Sequence, residues 1–186
     1  NIAEFLVVAA AAASAARRDN CQGPTARSAS TIALSSGSAI GTVVERTTRF
    51  VLLLHLPHDH TALAVQEAIV AKMAGLPAIL RKTLTWDQGK EMANHIEIAA
   101  ATDLDIYFCD PHSPWQRGTN ENTNGLLRQY FAKGTDLSVF PADYLDYVAT
   151  KLNRRPRQTL GWKTPAEALD ELLSNPFKPP AVASTA

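Results

Sequence analysis

The stretch Ile40-Gly-Thr-Val-Val-Glu-Arg-Thr-Thr-Arg-Phe-Val-Leu-Leu-Leu-His-Leu56 decides how this chain folds. Ile40, Val43 and Val44 form one β-branched run and Phe50 to Leu54 a second. Between them Glu45-Arg46-Thr47-Thr48-Arg49 is a charged break. Runs of this kind around a polar turn predict a hairpin. Downstream, Thr61 to Met73 places Ala62, Val65, Ile69 and Met73 at helical spacing and stops at Gly75-Leu76-Pro77, a helix exit. Thr83-Leu84-Thr85-Trp86 predicts a short strand, Glu91 to Thr102 a helix and Leu104 to Cys109 another strand. Asp110-Pro111-His112-Ser113-Pro114 is a loop rich in breakers. Helices are expected from about Asn120 to Phe131, from Tyr144 to Asn153 and from Pro165 to Leu173. Strands alternating with helices imply an α/β fold with an open, mixed sheet.

Upstream of Ser38 the composition changes abruptly. Ala and Ser dominate, acids are limited to Glu4 and Asp19, and no turn punctuates a periodic pattern. We therefore expect residues 1–37 to be a low-complexity, disordered or irregular segment, foreign to the rest. Residues 38–174 should be one catalytic core and 175–186 a flexible tail. The 186 residues suffice for one α/β core and are short for two. Phe5 to Ala16 is apolar but falls short of the roughly 18–20 residues that span a bilayer. Arg17 and Arg18 follow that run, whereas a signal peptide carries its basic segment in front. No membrane partner and no export are expected. The chain opens on Asn1 rather than Met, so further sequence is expected upstream. Cys21 and Cys109 are too few for a disulfide framework and lack metal-ligand spacing, which fits a reducing, cytoplasmic setting. The 18 basic and 18 acidic side chains cancel. DNA contacts would then come from local patches such as Arg154, Arg155 and Arg157.

Two acids stand where chemistry is usually built. Asp87 ends the strand that closes on Trp86, and Glu121 opens a helix with Thr119 before it as a cap. Ligand-facing residues of open sheets gather at strand ends and in the loops beyond them. Carboxylates brought there by separate elements can share Mg²⁺, which prefers oxygen ligands. The plainer alternatives are a turn-forming Asp and a Glu favouring the helix dipole. Arg128 follows Glu121 by seven residues, two helical turns, on nearly the same face. A guanidinium there can grip a phosphate, or be an ordinary solvated arginine. His112, Trp115, Gln116, Arg117 and Asn120 crowd the loop before the helix. They offer phosphate donors and an aromatic face for an unpaired base; Trp115 serves equally well as a core anchor.

Four blocks in order resemble insertion-sequence transposases of the IS-thirty family. They are Ser38 to Phe50, Leu84 to Met92, His112 to Phe131 and Leu152 to Glu167. The resemblance implies a ribonuclease-H-like mixed sheet flanked by helices, the integrase core. It also implies a three-acid Asp-Asp-Glu site binding two Mg²⁺ (or Mn²⁺) ions. On it Asp87 is the second acid and Glu121 the third, with 33 residues between them. It implies DNA as partner, both transposon ends and target, and a homo-oligomer at work on that DNA.

The first acid breaks the pattern. The family places an Asp, in a Trp-Glu-Gly-Asp context, in the opening strand. That position falls near Ser30 to Ile32, and no Asp or Glu lies between Asn20 and Thr42. Ala132 is a smaller departure, standing where the family tends to have Pro. Three functional readings follow: an active transposase core, an inactive remnant that only folds, binds DNA or multimerises, and a ribonuclease-H-type nuclease. The last would share the acids but not the blocks around Trp115–Asn120 and Leu152–Ala166. Both the missing acid and the break near Ser38 follow if the upstream residues are read out of frame in a GC-rich gene. In that case one of the other two frames upstream of the Ser38 codon encodes a strand with Gly-Asp. Sequencing that region and finding no such strand in either frame rejects the idea.

Overall fold

The computed structural model describes residues 4–10, 37–86, 90–109 and 118–174. The expected hairpin is there: β2 (Ala39–Glu45) and β3 (Val51–Leu56) pair antiparallel, with Ala39 opposite Leu56 and Val44 opposite Val51. β4 (Thr83–Trp86) and β5 (Asp105–Phe108) follow. The five-stranded sheet has the order β3-β2-β1-β4-β5. Its central strand, β1, is Glu4–Ala10. β1 runs antiparallel to β2 and parallel to β4, which is parallel to β5.

That central strand falls inside the N-terminal segment. An ordered element lies within residues 1–37, at 4–10, where no strand was expected. Phe5-Leu6-Val7-Val8 is a short run with strand propensity, and the place between β2 and β4 needs an apolar strand with both edges paired. Thr31 to Leu34, the stretch with apolar character nearer β2, lies outside the described residues, as does the tail 175–186.

Among the described residues, five helices cover the two faces: α1 (Ala62–Ala74), α2 (His95–Thr102), α3 (Gly118–Leu127), α4 (Ala142–Asn153) and α5 (Pro165–Ser174). The alternation along β2 and β3 sorts their side chains between two cores. Val43, Leu54 and Leu56 join Val65, Ile69 and Met73 of α1, Leu84 and Trp86 of β4 and Ile98 of α2. Ile40, Val44, Val51 and Leu53 meet Leu127, Phe131, Leu145, Val148 and Leu152 on the opposite face. Because both faces are covered, every residue of β2 is buried. Gly41 is required by that packing: a Cβ there would lie 2.9 Å from Cδ1 of Leu54, its cross-strand partner.

Local chemistry sets the helix ends. Thr61 caps α1, accepting from the Ala64 amide. Thr164 and Glu167 form a reciprocal capping box at the start of α5, with the Thr164 amide donating to Oε2 of Glu167 at 2.8 Å and the Glu167 amide donating to Oγ1 of Thr164 at 3.2 Å. Those bonds hold the Glu167 carboxyl below its usual range. The stretch expected as one helix from Glu91 is split: a 3₁₀ turn at Lys90–Met92, then α2 from His95. α3 stops at Leu127 rather than Phe131, and its last turn tightens through Gln129 and Tyr130 amides donating to Leu126 and Leu127 carbonyls. At the sheet edge, buried Asn153 at the end of α4 pairs with the backbone of Val51. Its Nδ2 donates to the Val51 carbonyl and its Oδ1 accepts from the Val51 amide, both at 2.8 Å. The side-chain amide thus mimics a neighbouring strand and ties α4 to β3.

Candidate active site

β4 and α3 are the two elements that would bring the acids together. β4 ends at Trp86, whose carbonyl accepts from the Cys109 amide at 2.8 Å, so the sheet ladder is intact up to that residue. Asp87 comes next in the chain and lies outside the described residues. So do His112, Trp115, Gln116 and Arg117. Glu121, Asn120, Arg128, Arg154, Arg155 and Arg157 are described.

α3 lies on the sheet face opposite α1 and is held there largely by polar groups. Asn120, Thr123, Asn124 and Leu127 are its buried residues, one stripe at helical spacing. The Thr42 hydroxyl of β2 donates to Oδ1 of Asn124 at 2.9 Å in a buried setting. Glu121 falls on a flank about 100° round the helix from Asn120 and is exposed. Arg128 continues the same flank, and its amide still donates to the Asn124 carbonyl at 3.2 Å.

Thr119 is not the helix cap. α3 begins one residue earlier, at Gly118, and the Thr119 hydroxyl is instead the acceptor for Arg49 of the β2–β3 turn. That turn is built around fully buried Glu45, whose carboxylate accepts from the Thr47 amide at 3.0 Å and from the amide and hydroxyl of Thr48. Arg49 sits at φ 61°, a left-handed conformation uncommon for a side-chain-bearing residue. Its amide donates to the Glu45 carbonyl at 2.8 Å. Burial lowers the Arg49 pKa, the Glu45 carboxylate opposes that shift and Arg46 adds to it; an arginine so placed stays charged at neutral pH. The charged break of the hairpin is therefore a built clamp on the first turn of α3, two residues from Glu121.

The basic turn after α4 is less available than its composition suggested. Only Arg154 is exposed. Nη1 of Arg155 donates to Gln129 Oε1 at 2.9 Å, Nη2 donates to the Tyr130 hydroxyl at 2.7 Å, and the guanidinium lies 5.6 Å from that ring's centroid. Arg157 is half-buried and reaches the Leu152 carbonyl at 3.4 Å. Among the described residues no group of three or more His, Cys, Asp or Glu side chains is arranged to hold a metal ion, and no helix is long and apolar enough to cross a membrane.

Thr42→Val keeps the shape of the buried side chain and removes its donor, leaving Oδ1 of Asn124 without that bond. We expect a loss of about 1–3 kcal/mol, read as a lower urea midpoint, together with faster amide exchange in α3. Thr42→Ser should retain most of the stability.

The integrase core domain family matches residues 29–114, a span that begins after β1. The transposase for insertion sequence element IS1086 of Cupriavidus metallidurans is 57% identical over 139 residues, 75% of this chain and 41% of that protein. Transposase InsI for insertion sequence element IS30C of Escherichia coli is 49% identical over 136 residues, 73% of this chain and 35% of that protein. The chain thus spans about two fifths of the length of these curated relatives. In fold it is similar to the catalytic core domain of BIV integrase, with a TM-score of 0.58 at 18% identity, covering 93% of this chain and 98% of that one. With the ribonuclease-H-like sheet and the four sequence blocks in order, this chain is similar over about three quarters of its length to insertion-sequence transposases such as those of IS1086 and IS30.

Proposed function

We propose that the chain is the catalytic core of a DNA transposase, in which Asp87 and Glu121 are two of three carboxylates serving Mg²⁺- or Mn²⁺-dependent strand cleavage and transfer. The observation that carries this reading is the polar clamping of α3 on the sheet, which presents Glu121 on an exposed flank while its buried neighbours do the packing. The donor set suits a hard, oxygen-seeking cation: both groups are carboxylates, and Glu121 is open to solvent. A divalent ion held there supplies activation of a water or 3′-hydroxyl and offsets charge on the leaving oxygen. Arg128, on the same flank, grips a DNA phosphate, and His112, Trp115, Gln116, Arg117 and Arg154 contact DNA around the site, whereas Asn120, expected from its motif to do so, is fully buried and packs α3 on the sheet. Arg155 and Arg157 act through the fold, shaping the turn that carries Arg154. The working unit is a homo-oligomer on transposon ends and target, with residues 38–174 as its core.

A second reading, an inactive remnant, is favoured by the register of β1. The one acid of that strand, Glu4, pairs with Thr83 at the far end of β4 from Asp87. Four residues of strand separate the two ends, about 13 Å. One step past the Val7–Trp86 pair the chain continues as Val8 on β1 and Asp87 after β4. Val8 is opposite Thr42, the residue that anchors α3. On this reading position 8, which holds valine, is where a first acid would stand. In a Mn²⁺-dependent cleavage and strand-transfer assay on oligonucleotide duplexes, the chain as given should be nearly inactive and Val8→Asp should raise its activity. The gain should exceed the ~10–100-fold that a group merely supporting a metal ligand contributes. Asp87→Asn or Glu121→Gln should abolish it. Full activity in the chain as given rejects the remnant reading; activity indifferent to Asp87 and Glu121 rejects the transposase site.

A further inference from the structure

The turn between α4 and α5 presents a tryptophan that packing does not explain. Trp162 is 70% exposed. It follows Gly161 at φ 62° and is itself at φ 69°, two consecutive left-handed residues. For a bulky side chain that conformation costs about 1–2 kcal/mol, and leaving an indole in water forgoes its burial energy. Glycine at 162 would serve the fold better on both counts.

The base beneath the indole is firmly built. The Arg157 amide donates to the Lys163 carbonyl and the Trp162 amide to the Arg157 carbonyl, each at 2.9 Å, while the Gly161 amide donates to the Gln158 carbonyl at 3.0 Å. Lys163 is paired to Glu171 at 2.6 Å, and the Thr164–Glu167 capping box begins immediately after it. A costly, exposed aromatic on a rigid mount is the form of a contact residue.

Charge decides the kind of partner. Between Asp146 and Glu167 the chain has five cations, Lys151, Arg154, Arg155, Arg157 and Lys163, and no acid. An electropositive turn crowned by a rigid, exposed π-face suits a polyanion that offers flat apolar faces, which is nucleic acid with an unpaired base. We propose that Trp162 stacks on an unpaired base of the DNA strand bound by this core, with exposed Arg154 on a neighbouring phosphate. The bonds from Arg155 to Gln129 and Tyr130 tie this turn to the end of α3 opposite Glu121. This proposal rests on the reading of the chain as a DNA-acting core.

The test is fluorescence anisotropy with two labelled DNAs at one salt concentration, a blunt duplex and the same duplex with a four-nucleotide 3′ overhang. Thermal melts and light scattering of each variant accompany it. Trp162→Gly should weaken overhang binding on the order of 10-fold, change blunt-duplex binding less than about 2-fold and melt at or above the parent temperature. Trp162→Phe should keep most of the overhang affinity. Unchanged overhang binding in Trp162→Gly overturns the proposal, and so does equal loss on both DNAs or a clearly lowered melting temperature. A Trp162→Gly protein that binds DNA normally but falls to a smaller oligomer would reassign the indole to a protein contact and overturn it as well. If the parent chain binds neither DNA, the DNA-acting reading itself falls along with this one.

Discussion

The hydrogen bond from Thr42 to Asn124 is the constraint on which the site depends. α3 carries the residues Gly-Thr-Asn-Glu-Asn-Thr-Asn-Gly-Leu-Leu, and its apolar contribution to the core comes almost wholly from its final turn. A helix so poor in apolar residues cannot find its rotation on the sheet by hydrophobic burial alone. Each residue of slip turns a helix by about 100°, enough to carry Glu121 from the exposed flank into the sheet. The buried donor on β2 and its amide acceptor on α3 have one satisfying arrangement, since either group left alone would cost about 1–3 kcal/mol. Arg49 fixes the first turn of the same helix through Thr119. The two anchors lie on consecutive parts of one hairpin, so the strand pair that organises the sheet also aims the helix.

This arrangement explains why an acid, Glu45, is fully buried far from any catalytic role. Its carboxylate collects the amides and hydroxyl of the turn that Arg49 needs in order to reach α3. Asn153 does comparable work on the other edge of the hairpin by closing the backbone of Val51. Polar groups buried with every partner in place give a specific geometry rather than much net stability. The hydrophobic layers on either side of β2 and β3 supply the cohesion, and the polar contacts choose the register.

Much of the fold is legible in the sequence because its signals are periodic. The β2–β3 hairpin, α1, β4, α4 and α5 follow from runs and spacings that local propensity reinforces. What escaped has physical reasons. Glu4–Ala10 reads as part of an alanine-rich tract, and its role as central strand depends on neighbours more than thirty residues away. Composition marks Glu45 and Arg49 as a solvated turn, since nothing local reveals that the helix start at Gly118 closes over them. Thr119 has cap chemistry in the right place, yet its hydroxyl is taken by Arg49. Arg155 and Arg157 read as a DNA patch, but Tyr130, Gln129 and the Leu152 carbonyl claim their guanidinium groups. The spacing of Glu121 and Arg128 was legible because a helix imposes it. Asp87, His112, Trp115, Gln116 and Arg117 rest on their motif alone, outside the described residues.

The first acid joins sequence and structure. The motif position near Ser30 to Ile32 has no acid, and the strand that fills the centre of the sheet offers Glu4 at the wrong end. On the proposed reading, Asp87 and Glu121 are the two carboxylates that this chain keeps of the three. The most direct measurement is anomalous X-ray scattering from crystals of this chain grown with Mn²⁺. A manganese peak bonded to both Asp87 and Glu121 is the predicted result. Manganese bound only elsewhere, with neither carboxylate as a ligand at saturating metal, would contradict the assignment of these two residues to one metal site.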